Sequence, residues 1–241
     1  MQQLVRRRAM VGLLALVLLI PTVTAYADDP PTSEPGPATE PVQIGSYALG
    51  RSIGLLILDE GFEVDEALLF QGILDALRDR EPPYTLDQLR DGLTALHRAR
   101  DERLFRAEAE WNLAYAEAFL NANRERDGVY ETASGLQYEV LRPGSGPTPS
   151  ADDTVRVHYL GQFAGGVEFD SSYRRGVPSS FAVNDVIAGW AEALQLMPVG
   201  SMWRIYVPPQ LAYGEEGAGP IGPNELLIFT IELLAIVGED R

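Results

Sequence analysis

Hydrophobic and polar residues in the stretch from 42 to 126 follow the spacing of helices. Between Ser46 and Glu60, large apolar side chains recur at intervals of three and four residues, which is the repeat of one helix face. Gly61 stands where such a helix would end. A second apolar face follows Asp65, whose short carboxylate suits a helix N-cap. We therefore predict an almost wholly helical region over residues 42–126.

The third helix of this region is predicted to be much longer than the other two. Pro82 and Pro83 end the second helix, and Thr85 with Gln88 three residues later has the pattern of a capping box. No proline follows before Arg126, so about forty residues can form a helix of about 60 Å. A helix of that length either packs against a partner or extends into water.

After Gly128 the helical spacing gives way to the alternation of β-strands. The apolar residues there are often β-branched or aromatic, and glycine and proline separate the segments. We predict a single helix in this half, over residues 187–197. The predicted strands cover residues 136–141, 154–160, 202–207 and 226–236. Strands around one helix, preceded by a helical region, make the chain an α+β protein.

The first residues have the pattern of an export signal. Arg6, Arg7 and Arg8 precede an apolar run over residues 9–20, and Ala25-Tyr26-Ala27 offers a cleavage site. A run of about a dozen apolar residues is too short to cross a bilayer, which takes about twenty. We expect residues 1–27 to be a cleaved signal peptide, with an uncleaved membrane anchor as the alternative.

The next segment, residues 28–41, contains five prolines and few large apolar side chains, so we predict an extended linker. The chain has no cysteine, which excludes disulfide bonds and the thiol that a bacterial lipid anchor needs. These features favour the periplasm, without stable membrane insertion after cleavage. Secretion and association with the outer membrane are the alternatives.

Composition narrows the classes of function. Hydrophobic residues make up 46% of the chain, which is enough for a buried core. The formal net charge is −16, and a protein this acidic repels the phosphate backbone of nucleic acids. We therefore expect no nucleic-acid partner.

The usual signatures of catalytic and metal sites are missing. The chain has two histidines, His97 and His158, and neither belongs to a zinc-binding pattern such as HExxH. There is also no P-loop and no GxSxG nucleophile motif. We expect no metal and no cofactor, and we interpret His158 as a strand residue bonded to its neighbours.

What the C-terminal half does have is an unusual concentration of aromatic side chains. A small sheet with one helix cannot easily bury them all, so some are expected to line an apolar pocket. They lie within about seventy residues of one another. They are Tyr159, Phe169, Tyr173, Phe181, Trp190, Trp203, Tyr206, Tyr213 and Phe229.

Several short motifs in this half resemble the FKBP-type peptidyl-prolyl cis-trans isomerases in order and spacing, from Gly128 to Val237. They are Val157-His158-Tyr159, Phe169-Asp170-Ser171-Ser172, Val186-Ile187-x-Gly189-Trp190, Leu194-x-x-Met197-x-x-Gly200, Leu211-Ala212-Tyr213-Gly214 and the closing strand through Phe229. The resemblance implies an antiparallel sheet wrapped around one short helix. It also implies an isomerase domain over residues 127–241.

The N-terminal half is similar to the macrophage infectivity potentiator group, which comprises exported bacterial isomerases that dimerise through helical N-terminal regions. The similarity lies in Ser46-Tyr47-Ala48-Leu49-Gly50, Gly61-Phe62-Glu63-Val64-Asp65 and Thr132-Ala133-Ser134-Gly135-Leu136-Gln137-Tyr138. It implies a homodimer formed through residues 42–126. It also implies substrates that are unfolded or partly folded polypeptides with Xaa-Pro bonds, and macrolides as candidate ligands.

The resemblance assigns roles to individual residues. Trp190 is expected to form the floor under the substrate proline, and Asp170, Tyr213 and the backbone N–H of Ile187 are the expected catalytic groups. The expected substrate-binding walls are Tyr159, Phe169, Phe181, Val186, Ile221 and Phe229. Plain core packing is the alternative role for the aromatic residues.

Two departures from the family pattern affect the edge of this pocket. Ser179 stands where many members carry an aromatic wall residue, and the loop over residues 215–223 differs from the short eukaryotic forms. The main alternative function is a periplasmic holdase chaperone or binding module that keeps the pocket but has little or no isomerase turnover.

Overall fold

The computed structural model describes residues 40–238. The predicted signal peptide (1–27) and nearly all of the predicted linker (28–41) therefore lie outside the described residues. The chain divides into two compact units, one ending at Ile53 and the other beginning at Gly54. Within residues 40–238, no helix is both long enough and apolar enough to span a membrane.

Three helices make up the N-terminal region, as predicted. They are α1 (Pro41–Asp59), α2 (Glu66–Leu77) and α3 (Leu86–Asn123). Helix α3 has 38 residues, which corresponds to a length of about 57 Å.

Local sequence sets the ends of these helices. Asp65 caps α2 by accepting a hydrogen bond from the Leu68 N–H at 3.0 Å. Thr85 and Gln88 form the reciprocal bonds of a capping box at the start of α3. Gly61 follows α1 with φ +73°, a left-handed conformation that favours glycine. These three predictions are confirmed.

In the part of the C-terminal half that the structure describes, seven strands form one antiparallel sheet. They are β1 (Val129–Glu131), β2 (Gln137–Arg142), β3 (Thr154–Phe163), β4 (Glu168–Ser171), β5 (Ser179–Ala182), β6 (Met202–Val207) and β7 (Leu227–Val237). The order across the sheet is β1-β2-β6-β7-β3, and both β4 and β5 pair with β3. Within residues 127–238 the sheet is accompanied by two short α-helices, α4 (Ser172–Arg175) and α5 (Ala188–Leu194). The prediction of a single helix in this half was wrong, because a one-turn helix such as α4 is too short to show a helical repeat in the sequence.

The core lies between the sheet and α5. Alternate residues of β3 and β7 are buried, including Tyr159 on β3 and Phe229 on β7, as the period of two in a strand requires. From α5, Trp190 and Leu194 pack into the same cluster. The α+β class and the sheet around a short helix are thus confirmed. Helix α5 ends earlier than predicted, because the chain then closes a tighter turn in which the N–H groups of Leu196 and Met197 both donate to the Ala193 carbonyl.

Candidate functional site

Helix α5 places Trp190 close to the sheet. The residue before it, Gly189, has no side chain, and a Cβ there would lie 2.5 Å from Cγ1 of Val207 on β6. Glycine therefore allows the helix to approach the sheet this closely. As a result the Trp190 indole is 4% exposed.

Three aromatic rings stand edge-on around the Trp190 indole. Ring centroids lie 5.2 Å away for Tyr159, 5.6 Å for Phe181 and 5.2 Å for Phe229, with interplanar angles between 82° and 87°. Phe169 extends the group with an edge-on contact of 5.7 Å to Phe229. Such perpendicular contacts are favourable because ring edges are positive and ring faces negative. We call these five rings the aromatic cluster.

Aliphatic residues adjoin the aromatic cluster. Ile221 is 8% exposed and belongs to the same hydrophobic core as the aromatic cluster. Val186 and Ile187 pack against this core and stay partly exposed. Ile187 is also the N-cap residue of α5. Its backbone N–H has no hydrogen-bond partner within residues 40–238, so it can donate to a ligand.

A polar group lies at the edge of the aromatic cluster. The Tyr159 hydroxyl and the Arg175 guanidinium both donate to the Asp170 carboxylate, and the Ser171 N–H donates to it at 2.7 Å. Arg175 Nη2 also donates to the Tyr159 hydroxyl at 2.9 Å. Asp170 therefore has a donor on each carboxylate oxygen.

These contacts act on the pKa values of both acids. Partial desolvation would raise the pKa of Asp170, but the hydrogen bonds from Tyr159, Arg175 and the Ser171 backbone outweigh it and lower that pKa below its usual value. Burial, followed by the bond to Asp170, raises the pKa of Tyr159. At neutral pH the pair is therefore a carboxylate and a neutral phenol.

Sequence reasoning missed Arg175. Its position depends on α4, a one-turn helix capped by Ser171, whose hydroxyl accepts from the Arg174 N–H at 3.2 Å. This turn brings Arg175, five residues after Asp170, back onto the carboxylate. Arg175 also donates to Ser179 Oγ at 3.2 Å. The serine that departs from the family pattern is therefore bonded to the same arginine that donates to Asp170. An arginine about one turn beyond the aspartate was the available signal.

Tyr213 differs from the other predicted site residues. It follows the 3₁₀ turn at Pro209–Leu211, is 40% exposed, and its hydroxyl has no hydrogen-bond partner within residues 40–238. The structure therefore leaves that hydroxyl accessible to a ligand. The remaining predicted residues are brought together in the aromatic cluster, its aliphatic neighbours and the Asp170 group. Their roles stay predictions.

His158 lies outside this site, in a structural setting. Its Nδ1 lies 3.0 Å from Ser172 Oγ, and its ring stacks on Tyr173 at 4.7 Å. No cluster of three or more His, Cys, Asp or Glu side chains that could hold a metal ion occurs in the part of the chain that the structure describes.

Two family descriptions match this chain. Residues 146–234 match the FKBP-type peptidyl-prolyl cis-trans isomerase family. Residues 43–140 match the domain amino terminal to FKBP-type peptidyl-prolyl isomerase. The two matches together span most of the described residues.

Individual proteins agree with this assignment. The chain is 40% identical over 195 residues to outer membrane protein MIP of Legionella longbeachae, covering 79% of this chain and 84% of that protein. It is 38% identical over 234 residues to peptidyl-prolyl cis-trans isomerase Mip of Coxiella burnetii, covering 95% and 98%. The crystal structure of FkpA from Escherichia coli is similar with a TM-score of 0.65 at 32% identity, covering 82% of this chain and 97% of that one. This chain therefore belongs to the FKBP-type peptidyl-prolyl cis-trans isomerases, as its motifs predicted.

Proposed function

We propose that the chain accelerates rotation about Xaa-Pro bonds by binding the twisted amide more tightly than the planar one. Rotation has a barrier of about 18–20 kcal/mol because amide resonance holds the bond planar. The twisted form loses that resonance and carries less charge on its oxygen, so an apolar pocket favours it. Each 1.36 kcal/mol of preference gives about a tenfold rate gain. The aromatic cluster around Trp190 is the observation that carries this proposal.

The polar groups at the edge of the cluster supply the orientation. The free N–H of Ile187 and the accessible hydroxyl of Tyr213 are proposed to hold substrate carbonyl groups. Asp170, ionised because its pKa is lowered, is proposed to lie against the bond being twisted. There its negative charge disfavours the planar resonance form and holds the Tyr159 hydroxyl in place.

A protease-coupled cis/trans assay tests the proposed site. Asp170→Ala and Tyr213→Ala should lower kcat/KM by about fivefold to thirtyfold, as expected for one or two lost hydrogen bonds of about 1 kcal/mol each. Tyr130→Phe is the control, since Tyr130 is an exposed tyrosine that stacks on Tyr138 in β1–β2. Equal rates in wild type and all three variants would contradict the proposed catalytic groups.

We further propose that two copies of the chain associate through residues 42–126. Helix α1 has no buried side chain within the described residues, although it is apolar on most of its surface. A soluble helix of this kind normally buries its apolar face. The exposed fractions are 81% for Val42, 51% for Ile44, 71% for Tyr47, 64% for Leu49, 61% for Leu56 and 73% for Leu58.

A holdase chaperone remains the second candidate function, because the same exposed apolar surface could bind unfolded chains. The two functions are separated by measuring how well wild type and Asp170→Ala keep an unfolded protein from aggregating. Full protection by a variant with little turnover would show that holding does not need catalysis. Loss of protection together with turnover would favour an enzyme alone.

We propose the periplasm as the site of action and exported polypeptides as the substrates. The support is the export pattern of residues 1–27, the absence of cysteine and the name of the Legionella relative, which is called an outer membrane protein. Release of the chain from a Gram-negative host by osmotic shock, with loss of the first 27 residues, would support this location. Retention of the full-length chain in the cytoplasm would contradict it.

Macrolides are proposed as ligands of the same site, since large apolar ligands suit a site lined by aromatic side chains with a few polar groups at its edge. Ser179 replaces an aromatic wall, so one edge of the pocket has less apolar surface to offer. We therefore expect a macrolide to compete with Xaa-Pro peptides in the isomerase assay, and Ser179→Phe to strengthen that competition.

A further inference from the structure

The loop that follows Tyr213 is closed at its base and at its tip. The Asn224 N–H donates to the Gly214 carbonyl at 2.8 Å, while Ala218 and Ile221 exchange two backbone hydrogen bonds of 2.9 and 3.0 Å. Residues 214–224 thus form a compact loop whose ends are joined. Tyr213 lies at one end of this loop and Ile221 inside it. A shift of the loop therefore changes the position of both residues.

Two asparagine side chains join the base of this loop to helix α3. Asn112 Nδ2 donates to the Pro223 carbonyl at 2.7 Å, and Asn224 Nδ2 donates to the Ala109 carbonyl at 3.2 Å. The two asparagines are 6% and 7% exposed. A buried amide that loses its partner is costly, because no water replaces the hydrogen bond. These two bonds are therefore strong constraints on where the loop lies.

The end of α3 is itself fixed to the sheet. Ala116, one turn beyond Asn112 on the same helix face, is 1% exposed. Further along, the ring of Phe119 lies 5.9 Å from that of Tyr206 on β6, and Asn123 Nδ2 donates to Gln137 Oε1 at 2.8 Å. The helix is thus a firm support against which the loop can be held.

Charge does not hold the loop and the helix together. Burial first, and then the negative charge of Glu108 on α3, raise the pKa of Glu225 at the end of the loop. The loop also lies close to α3 here, since a Cβ added to Gly222 would lie 2.9 Å from Glu108 Oε1. Two carboxylates in proximity oppose the contact, so the asparagine bonds must outweigh their repulsion.

We propose that Asn112 and Asn224 form a latch through which α3 positions Tyr213 and the loop of residues 214–224. The latch thereby selects which residue the pocket accepts before proline. Asn112 is a positioning residue, because it acts on the substrate through Tyr213 and Ile221. This inference rests on the proposed placement of those two residues in the substrate pocket. Helix α3 lies outside the predicted isomerase domain, and this proposal gives it a part in the specificity of the site.

The test compares full-length wild type with Asn112→Asp and Asn224→Gly. The first keeps the shape of the side chain but replaces the donor with a carboxylate that repels the Pro223 carbonyl. The second removes the donor while keeping a residue that tolerates the left-handed φ of +52° at this position. Asn121→Asp, at an exposed asparagine of the same helix, is the matched control.

The deciding quantity is the ratio of kcat/KM for two peptides that differ only in the residue before proline, Leu-Pro and Ala-Pro. We expect this ratio to change by about fivefold in both latch variants, the equivalent of one lost hydrogen bond, and to stay at the wild-type value in Asn121→Asp. A purely structural role would lower both rates together and leave the ratio unchanged.

An unchanged ratio in both latch variants overturns the latch, even if amide exchange in the loop becomes faster. Should Asn112→Asp fail to fold, Asn224→Gly decides alone. A wild type that accelerates neither peptide would instead refute the proposed function, so the two failures are distinguishable.

Discussion

At the scale of single residues, the proposed site depends on how Asp170 is held. Its carboxylate accepts from the Tyr159 hydroxyl, the Arg175 guanidinium and the Ser171 N–H. Each donor stabilises the charged form, which is the form proposed to disfavour the planar amide. Neighbouring residues thus keep Asp170 charged at the edge of the aromatic cluster.

The pH dependence of catalysis follows from the lowered pKa of Asp170. Because this pKa is below its usual value, Asp170 keeps its charge until the pH falls through the lowered pKa. The stability that the charged group adds to the folded protein is lost over the same range of pH. We expect kcat/KM to stay level as the pH falls to about 5 and to decline only below about 4, the ordinary pKa of aspartate. A pH profile of wild type and Asp170→Asn measures this. A decline in wild type centred above that ordinary value would contradict it.

Replacing Arg175 with lysine should impair the site despite the conserved charge. Lysine cannot bond to Asp170, Tyr159 and Ser179 at once, because it lacks the planar fork of the guanidinium. We expect a severalfold loss of kcat/KM in the peptide assay. Arg174→Lys is the control, because Arg174 makes a surface ion pair with Glu168 at 3.1 Å. An Arg175→Lys variant as active as wild type would show that charge alone matters, and equal losses in both variants would show that the loss does not come from the contacts of Arg175.

At the scale of elements, the helix ends follow local sequence while the contacts of α3 do not. A capping box spans three residues, so Thr85 and Gln88 announce the start of α3 in the sequence itself. The bonds from Asn112 to Pro223 and from Asn123 to Gln137 join residues far apart in the chain. No periodicity encodes such pairs, and asparagines within a helix gave no signal of a partner. Arg175 is a different case, because it lies only five residues from Asp170 and was missed although its spacing offered a signal. The aromatic residues were predicted because their concentration in one half of the sequence is visible without any knowledge of contacts.

Removing the cap of α3 should destabilise the helical region. We expect Thr85→Ala to lower the free energy of unfolding by about 1 kcal/mol, since the N–H of Gln88 loses its side-chain acceptor. Urea denaturation at a fixed protein concentration measures the loss. Thr94→Ala, at an exposed position inside the same helix, should be neutral or slightly stabilising because alanine is the better helix former. The prediction is refuted if the two variants are equally stable.

At the scale of the whole molecule, the exposed apolar surface of α1 is the feature that the proposed homodimer explains. The sequence predicted helices here, and the family resemblance implied a homodimer formed through residues 42–126. In a single chain, α1 and α2 have no buried side chain among the described residues. The proposed homodimer would cover these residues. Two pockets in one dimer could bind one unfolded chain at two places, which raises the effective concentration of the second contact.

Charges placed on α1 should separate the proposed dimer. We expect Leu49→Glu combined with Leu56→Glu to sediment as a monomer, while short peptides are isomerised at the wild-type rate. Refolding of a proline-limited protein should slow, because the second contact is lost. Gln43→Glu combined with Ser52→Glu adds the same charge at exposed polar positions and should stay dimeric. A wild type that sediments as a monomer would refute the dimer outright.

The central claim, that an aromatic pocket favours a rotated amide without transferring protons, is tested most directly by exchange NMR on a short Xaa-Pro peptide. The cis/trans exchange rate is measured with catalytic amounts of the protein in H₂O and in D₂O. The account predicts faster exchange than in peptide alone, by the same factor in both solvents. Exchange that the protein does not accelerate, or acceleration that falls clearly in D₂O as general acid–base catalysis requires, would contradict it.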